Sequence, residues 1–388
     1  KISKFCEPKN FWIKIFIMKN ISRLLFLACA IVFFGCTKDK SVSEQDDSNV
    51  CFYFEAVDAG AVVSMKRMNE DDAKKAPHVS LEYSLDKSNW SPFVVNETNV
   101  SLNNVGDRVY IRAKDKNDYF CFDSASEYAW NSFSSSGHVK VGGNIMYLLD
   151  GTGKATESNT LPKKHVFFGL FQDMDKLTDA SKLILPATTL TEDCYGFMFA
   201  GCSSLTAAPK LPAKKLAKSC YVCMFGECTS LTTAPELAAE TLAEFCCDGM
   251  FMDCTSLTVA PKLPATTLAE FCYVSMFWGC TSLTVAPELP ATKLAANCYN
   301  IMFMDCTSLT AAPKLPATEL ESGCYYMMFS GCTSLQSIEV NFTDWISVGT
   351  SKWLEEVSET GTFTCPAGLD VTQRDDSHIP EGWTIVTK

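Results

Sequence analysis

Cysteine is the residue whose number and spacing first raise a question of chemistry in this chain. Among its 20 cysteines, Cys194, Cys220, Cys246, Cys272, Cys298 and Cys324 recur every 26 residues, and Cys202, Cys228, Cys254, Cys280, Cys306 and Cys332 keep the same interval. A nucleophile is needed once, and these recur in every unit, so catalysis is not what the pattern serves. Disulfides are the usual alternative in an exported chain. Cys272 and Cys280, eight residues apart on one helix, would be about 12 Å from each other. Equivalent cysteines on neighbouring helices would lie about 8–10 Å apart, beyond the bridging limit of about 7 Å. Buried, reduced thiols filling the space between repeats are the expectation, with Cys223 and Cys247, outside the pattern, open to irregular bridging. His78, His138, His165 and His378 have no second histidine or carboxylate at metal-ligand spacing on a shared helix, so no metal and no cofactor is expected. The stretch DGTGK (150–154) lacks the first glycine and the hydroxyl residue of a phosphate loop and reads as a turn. No GxSxG elbow is present.

The elements that must position these residues follow from the same interval. Leu205, Leu231, Leu257, Leu283, Leu309 and Leu335 share it, five full copies run from 205 to 334, and GLFQDMDKLTDA (169–180) is a worn copy. Counting from Ala269, the apolar residues Cys272, Tyr273, Met276, Phe277 and Cys280 stand at offsets 3, 4, 7, 8 and 11, which predicts an amphipathic helix. Thr267/Glu270, Thr189/Glu192 and Thr241/Glu244 have capping-box spacing, and Gly201, Gly279 and Gly331 stand where such a helix would stop. SLTVAPKLP is too short and proline-rich for a helix and predicts a short strand. Strands stack at about 4.8 Å and helices at about 8–10 Å, so the helices must take the outside of a curve, a leucine-rich-repeat horseshoe. The row Lys210, Glu236, Lys262, Glu288, Lys314 alternates in charge, and a stacking role between adjacent strands is favoured over a binding role.

Outside the repeats the texture changes. From Met18, basic Lys19 and Arg23 precede an apolar run, Leu24 to Phe34, and then Gly35-Cys36; this is a secretory signal, too short to span a membrane as a helix. The text before it, Lys1 to Ile17, is read as upstream translated sequence. Without residues 1–35 the chain carries 27 basic and 44 acidic side chains, a net −17, which removes any electrostatic reason to bind nucleic acid. Short alternating runs between residues 50 and 165, such as Val109, Ile111 and Ala113 against Arg108, Tyr110 and Arg112, predict an immunoglobulin-like β-sandwich. Cys51, Trp90 and Cys121 follow the order of immunoglobulin domains, but Trp90 stands 39 residues after Cys51, too far for the usual arrangement, and a Cys51–Cys121 bridge is disfavoured. In the tail, SKWLEEVS (351–358) reads as a helical turn or two, GTFTC and GWTIV as strands, and Trp345, Trp353 and Trp383 as cover for the last repeat.

Two resemblances follow. Gly35-Cys36 resembles a bacterial lipoprotein signal, which implies acylation of Cys36, and the acidic cluster Glu44, Asp46 and Asp47 resembles signals that send Gram-negative lipoproteins to the outer surface. The elements MFxGCTSLTxAP and LPATTLAxxCY resemble the 26-residue repeats of BspA-type leucine-rich-repeat surface proteins over about 170 residues. That resemblance implies a non-enzymatic role in adhesion or partner binding.

The expected organisation is therefore multidomain: upstream segment and signal (1–35), tether (36–49), immunoglobulin-like β-sandwich (50–165), α/β leucine-rich-repeat-like solenoid with one short strand and one short helix per copy (166–340), and C-terminal cap (341–388). On helices of 100° per residue, Phe245, Met252, Phe271, Trp278 and Met304 would form a row facing away from the core. The row would bind a partner, pack on the β-domain or a second copy, or be buried by a rotated or irregular helix. The expected partner is a host or neighbouring-cell surface protein, with glycan as the alternative ligand. The rival from another class is a thiol-dependent hydrolase.

Overall fold

A computed structural model describes residues 50–68, 78–117, 120–124, 127–151 and 160–388. The signal, Cys36 and the tether lie outside the described residues. What is described belongs to one unit, Asp46–Lys388. Its first part is two sheets facing each other. The six-stranded sheet runs β10 (Leu177–Ile184), β9 (Val139–Asn144), β1 (Tyr53–Ala56), β6 (Arg108–Ala113), β3 (Leu81–Ser84) and β4 (Ser91–Phe93). The four-stranded one runs β5 (Asn99–Leu102), β2 (Ala61–Met68), β8 (Glu127–Ser135) and β7 (Cys121–Ser124). Alternation places Val109, Ile111 and Ala113 of β6 in the core, while Arg108 and Arg112 reach Glu55 and Glu82 on the strands to either side, each at 2.6 Å. Phe54 of β1 meets Phe133 of β8 edge-on at 5.1 Å, joining the sheets.

The immunoglobulin arrangement is not reproduced. The larger sheet ends in β10 parallel to β9. Cys51 is a free thiol donating to the Ile111 carbonyl, and Trp90 sits half-buried with the Arg112 guanidinium 3.8 Å over its ring rather than against a disulfide.

The α/β solenoid expected for 166–340 is overturned, because the helices it requires do not form. Among the described residues the one helix is α1 (Tyr147–Asp150), outside the repeats and closed by Gly151 at φ 68. The positions expected to be helical are chains of overlapping turns. In one copy, Met198, Ala200 and Cys202 donate backwards three residues to Tyr195, Phe197 and Phe199, while Tyr195, Phe197 and Phe199 donate across to Cys220, Val222 and Met224 of the next copy. Alternate N–H groups thus bond within the copy and between copies. A helix directs every N–H along its own axis and leaves none for a neighbour. Redirecting alternate peptides requires a left-handed residue at every fourth position, and Phe271, Ser275 and Gly279 have φ of 57, 51 and 73. The same triplet recurs at Phe245, Gly249 and Asp253 and at Asn297, Ile301 and Asp305.

The physical reason for the misreading is the similarity of the two periods. Offsets 3, 4, 7, 8 and 11 also fit a four-residue turn unit, which differs from 3.6 by about one residue over three turns. The capping boxes fail with the helices: Glu192 and Glu244 reach across to Lys164 and Lys218 of the preceding copy. Residues 351–356 are likewise turns, with Lys352 and Glu356 left-handed.

Successive copies lie in register. Phe171, Phe199, Phe225, Phe251, Phe277, Phe303 and Phe329 form a column with ring centroids 5.1–5.7 Å apart. A tyrosine column beside it is interrupted where Cys247 replaces the ring, and ends with Tyr325 on Trp353 at 6.1 Å. At the other end Phe171 stacks on Phe133 at 6.0 Å, so the column enters the space between the two sheets and one apolar core runs from Phe52 to Trp383. The chain ends in a parallel sheet of β11 (Ser337–Glu339), β12 (Gly361–Cys365) and β13 (Trp383–Thr387).

Candidate interaction surface

The cysteine ladders belong to the core. Cys202, Cys228, Cys254, Cys280, Cys306 and Cys332 each donate their S–H to the carbonyl of a phenylalanine in the neighbouring copy, from Phe171 to Phe303, at 3.0–3.2 Å. Both ladders, and Cys223 and Cys247, are buried free thiols. Burial pushes Cys194 and Cys298 up to about 12. A thiol held protonated and used as a hydrogen-bond donor is a poor nucleophile at neutral pH.

The five residues expected to form an outward row are placed differently from one another. Met252 is buried, whereas Phe245, Phe271, Trp278 and Met304 are half-buried. Phe245 and Phe271, both left-handed, stack on each other at 4.6 Å, with the Lys218 ammonium 5.9 Å from the Phe245 ring. The Trp278 indole donates to Asp305 Oδ2 at 3.0 Å. In a four-residue unit, position 271 shares a phase with 275 and 279 but not with 278, so the two aromatic residues do not line up as they would on a helix.

Three buried polar side-chain atoms of the repeats belong to residues found in one copy each. Asp248 Oδ1, Ser275 Oγ and Asn300 Oδ1 are buried without a hydrogen-bond partner among the described residues. Desolvation pushes the Asp248 carboxyl up to about 7. No group of three His, Cys, Asp or Glu side chains is placed to hold a metal ion among the described residues. Asp150 and Gly151 of DGTGK close α1; Thr152 to Lys154 lie outside the described residues.

The LTxAP stretch of each copy, with the charged residue that follows it, carries a repeated exposed surface. Parallel bridges such as Thr233 to Val259 and Leu211 to Leu237 join neighbouring copies there. Thr206, Thr232, Thr258, Thr284 and Thr310 are exposed, as are Lys210, Glu236, Lys262, Glu288 and Lys314. Val259 and Val285 are 54% and 70% exposed in adjacent copies. Sequence reasoning overlooked these valines, because a β-branched residue in a short strand reads as core. Strict alternation would set Val259 on the face of Leu257 and Val285 on that of Leu283, so no period of two in the sequence announced their exposure.

Compared with known proteins, the chain matches no family model, no curated protein and no solved structure.

Proposed function

We propose that this protein is a non-enzymatic recognition protein of a cell surface, anchored through acylated Cys36 and used in adhesion to a host or neighbouring-cell protein. The observation that carries the reading is the periodic LTxAP face, which presents exposed threonine, valine and alternating charge in successive copies. A surface of that length with one chemical theme suits an extended partner. Two further features support it: the thiols are committed to the core, and the repeat resembles those of BspA-type surface proteins. Glycan is the second ligand class, favoured by the half-exposed stacked rings of Phe245 and Phe271, since ring faces suit sugar faces.

The test is capture of the purified protein on parallel arrays of extracellular-matrix proteins and polysaccharides. The paired variants are Val259→Asp/Val285→Asp on the exposed face and Phe271→Ala/Trp278→Ala on the turn side. Loss of a protein hit with the valine pair alone supports the proposal. Loss of a polysaccharide hit with the aromatic pair favours glycan, and no capture on any array refutes recognition of both ligand classes.

A further inference from the structure

The alternating row Lys210, Glu236, Lys262, Glu288, Lys314 has the form of a stacking device within the chain, yet it does not act as one. Lys314 reaches Glu339 at 3.6 Å. Among the described residues, Lys210, Glu236, Lys262 and Glu288 close no ion pair, although each is flanked by residues of opposite charge in the neighbouring copies. The contrast with the row four residues further on is informative. There Lys214 meets Glu240 at 3.5 Å, and beyond it Lys218 meets Glu244 at 2.8 Å. The chain therefore closes such pairs between its own copies where the geometry suits, and leaves this alternation exposed and unused.

A row of alternating charge at strand spacing, about 4.8 Å, is complemented only by another row with the same pitch. A second copy of this chain has that pitch by construction. Let two copies meet face to face about a two-fold axis that passes between the copies carrying Lys262 and Glu288. Each Lys262 then faces Glu288 of the second copy, and each Glu236 faces Lys314, so all four pairs are of opposite charge. The same operation places Val259 of each chain against Val285 of the other. The two most exposed valines of the repeats thus become a shared apolar centre inside a charged rim. An axis passing through a copy, instead of between copies, would set like against like throughout and is excluded by repulsion.

We propose that the LTxAP face binds the same face of a second copy in this register, as an isologous dimer. This deepens the reading of the preceding subsection by naming the partner of that face, and it rests on that reading. The face is about 24 Å long and one short strand wide, which is below the area of about 800 Å² per partner typical of stable complexes. The association is accordingly weak for single molecules and effective where many copies are displayed together.

Sedimentation equilibrium of the purified protein at low and high salt tests this, with two charge variants. Glu236→Lys/Glu288→Lys makes the row uniformly basic, and Lys262→Glu/Lys314→Glu makes its paired part uniformly acidic. Expected are a salt-sensitive monomer–dimer equilibrium for the unaltered protein, at least tenfold weaker self-association for each variant alone, and recovery of a dimer when the two variants are mixed. Misfolded variants would not recover on mixing. An unaltered protein that stays monomeric up to its solubility limit overturns the proposal, as do variants that dimerise as well as the unaltered chain. Array capture of a matrix protein by a chain that stays monomeric would leave the recognition reading standing and remove this one.

Discussion

At the scale of single residues, burial decides what each polar group can do. The Asp248 carboxyl is raised by desolvation to about 7, well above its value of 3.8 when solvated in the unfolded chain. The folded state therefore holds the proton that the unfolded state has already released, so this residue's contribution to stability is greatest below about pH 4 and is lost as pH rises from there through about 7. Asp248→Asn is expected to flatten that loss, so that the stability difference between variant and parent, followed by urea unfolding, grows in the variant's favour between pH 4 and pH 8. A difference independent of pH would show that Asp248 is solvated in the folded protein. Trp278→Phe keeps an aromatic ring, though a smaller one, and removes the donation to Asp305, and a loss of about 1 kcal/mol is expected in the same assay. The ladder cysteines, as buried thiols, are expected to resist iodoacetamide in the native protein and to react after denaturation, with an intact mass showing no loss of hydrogen to disulfides. Rapid native labelling at any ladder position would contradict the packing described. These positions were legible in advance, because Cys272, Met276 and Cys280 recur too regularly to serve anything but a common core. Asp248, Ser275 and Asn300 were not, because each occurs in a single copy and its burial depends on the turn geometry.

At the scale of the element, the four-residue turn unit explains why glycine and aspartate share one column. Gly279 lies in the left-handed region, and a Cβ there would run into Asp253 Oδ1; Gly331 stands in the same relation to Asp305. Gly279→Ala combines a backbone cost of about 1–2 kcal/mol with that clash. Asp253→Ala in the same chain relieves the clash and leaves the backbone cost, so a double-mutant cycle measured by thermal or urea unfolding is expected to show a favourable coupling between the two changes. Independent effects would mean that the aspartate swings aside. The sequence carried the evidence for this unit in Gly249 and Gly279, which occupy different steps of the same four-residue phase. Read singly, Gly279 resembles a helix stop, and eleven residues are too few to separate a period of 4 from one of 3.6. Non-glycine residues such as Phe271 and Ile301 at left-handed positions hid the rest of the signal, since local propensity argues against them and the bonds to the next copy override it.

At the scale of the whole molecule, the aromatic column and the sheets share one core, with Phe171 packed among Phe52, Phe54, Phe133 and Phe199. Phe171→Ala is expected to cost about 3–5 kcal/mol and to split a single unfolding transition into two, seen as tryptophan fluorescence and far-ultraviolet dichroism ceasing to coincide. Coincident transitions in that variant would place the coupling elsewhere, for instance in β10, which pairs with β9 while its Asp179 bridges to Ala207 of the first full copy. The 26-residue interval announced how the copies relate, whereas nothing in it told that the first of them completes a sheet of the preceding part. A last consequence concerns heredity. Asp253, Gly279, Asp305 and Gly331 alternate over four copies, although Glu227 beside Asp253 breaks the pattern before them, and Lys210, Glu236, Lys262, Glu288 and Lys314 alternate over five. Unequal recombination that removes a single copy would keep the core columns but set aspartate on aspartate and glutamate beside glutamate. An exchange of two would keep the charge alternation, so lineages of this gene should change length in even steps.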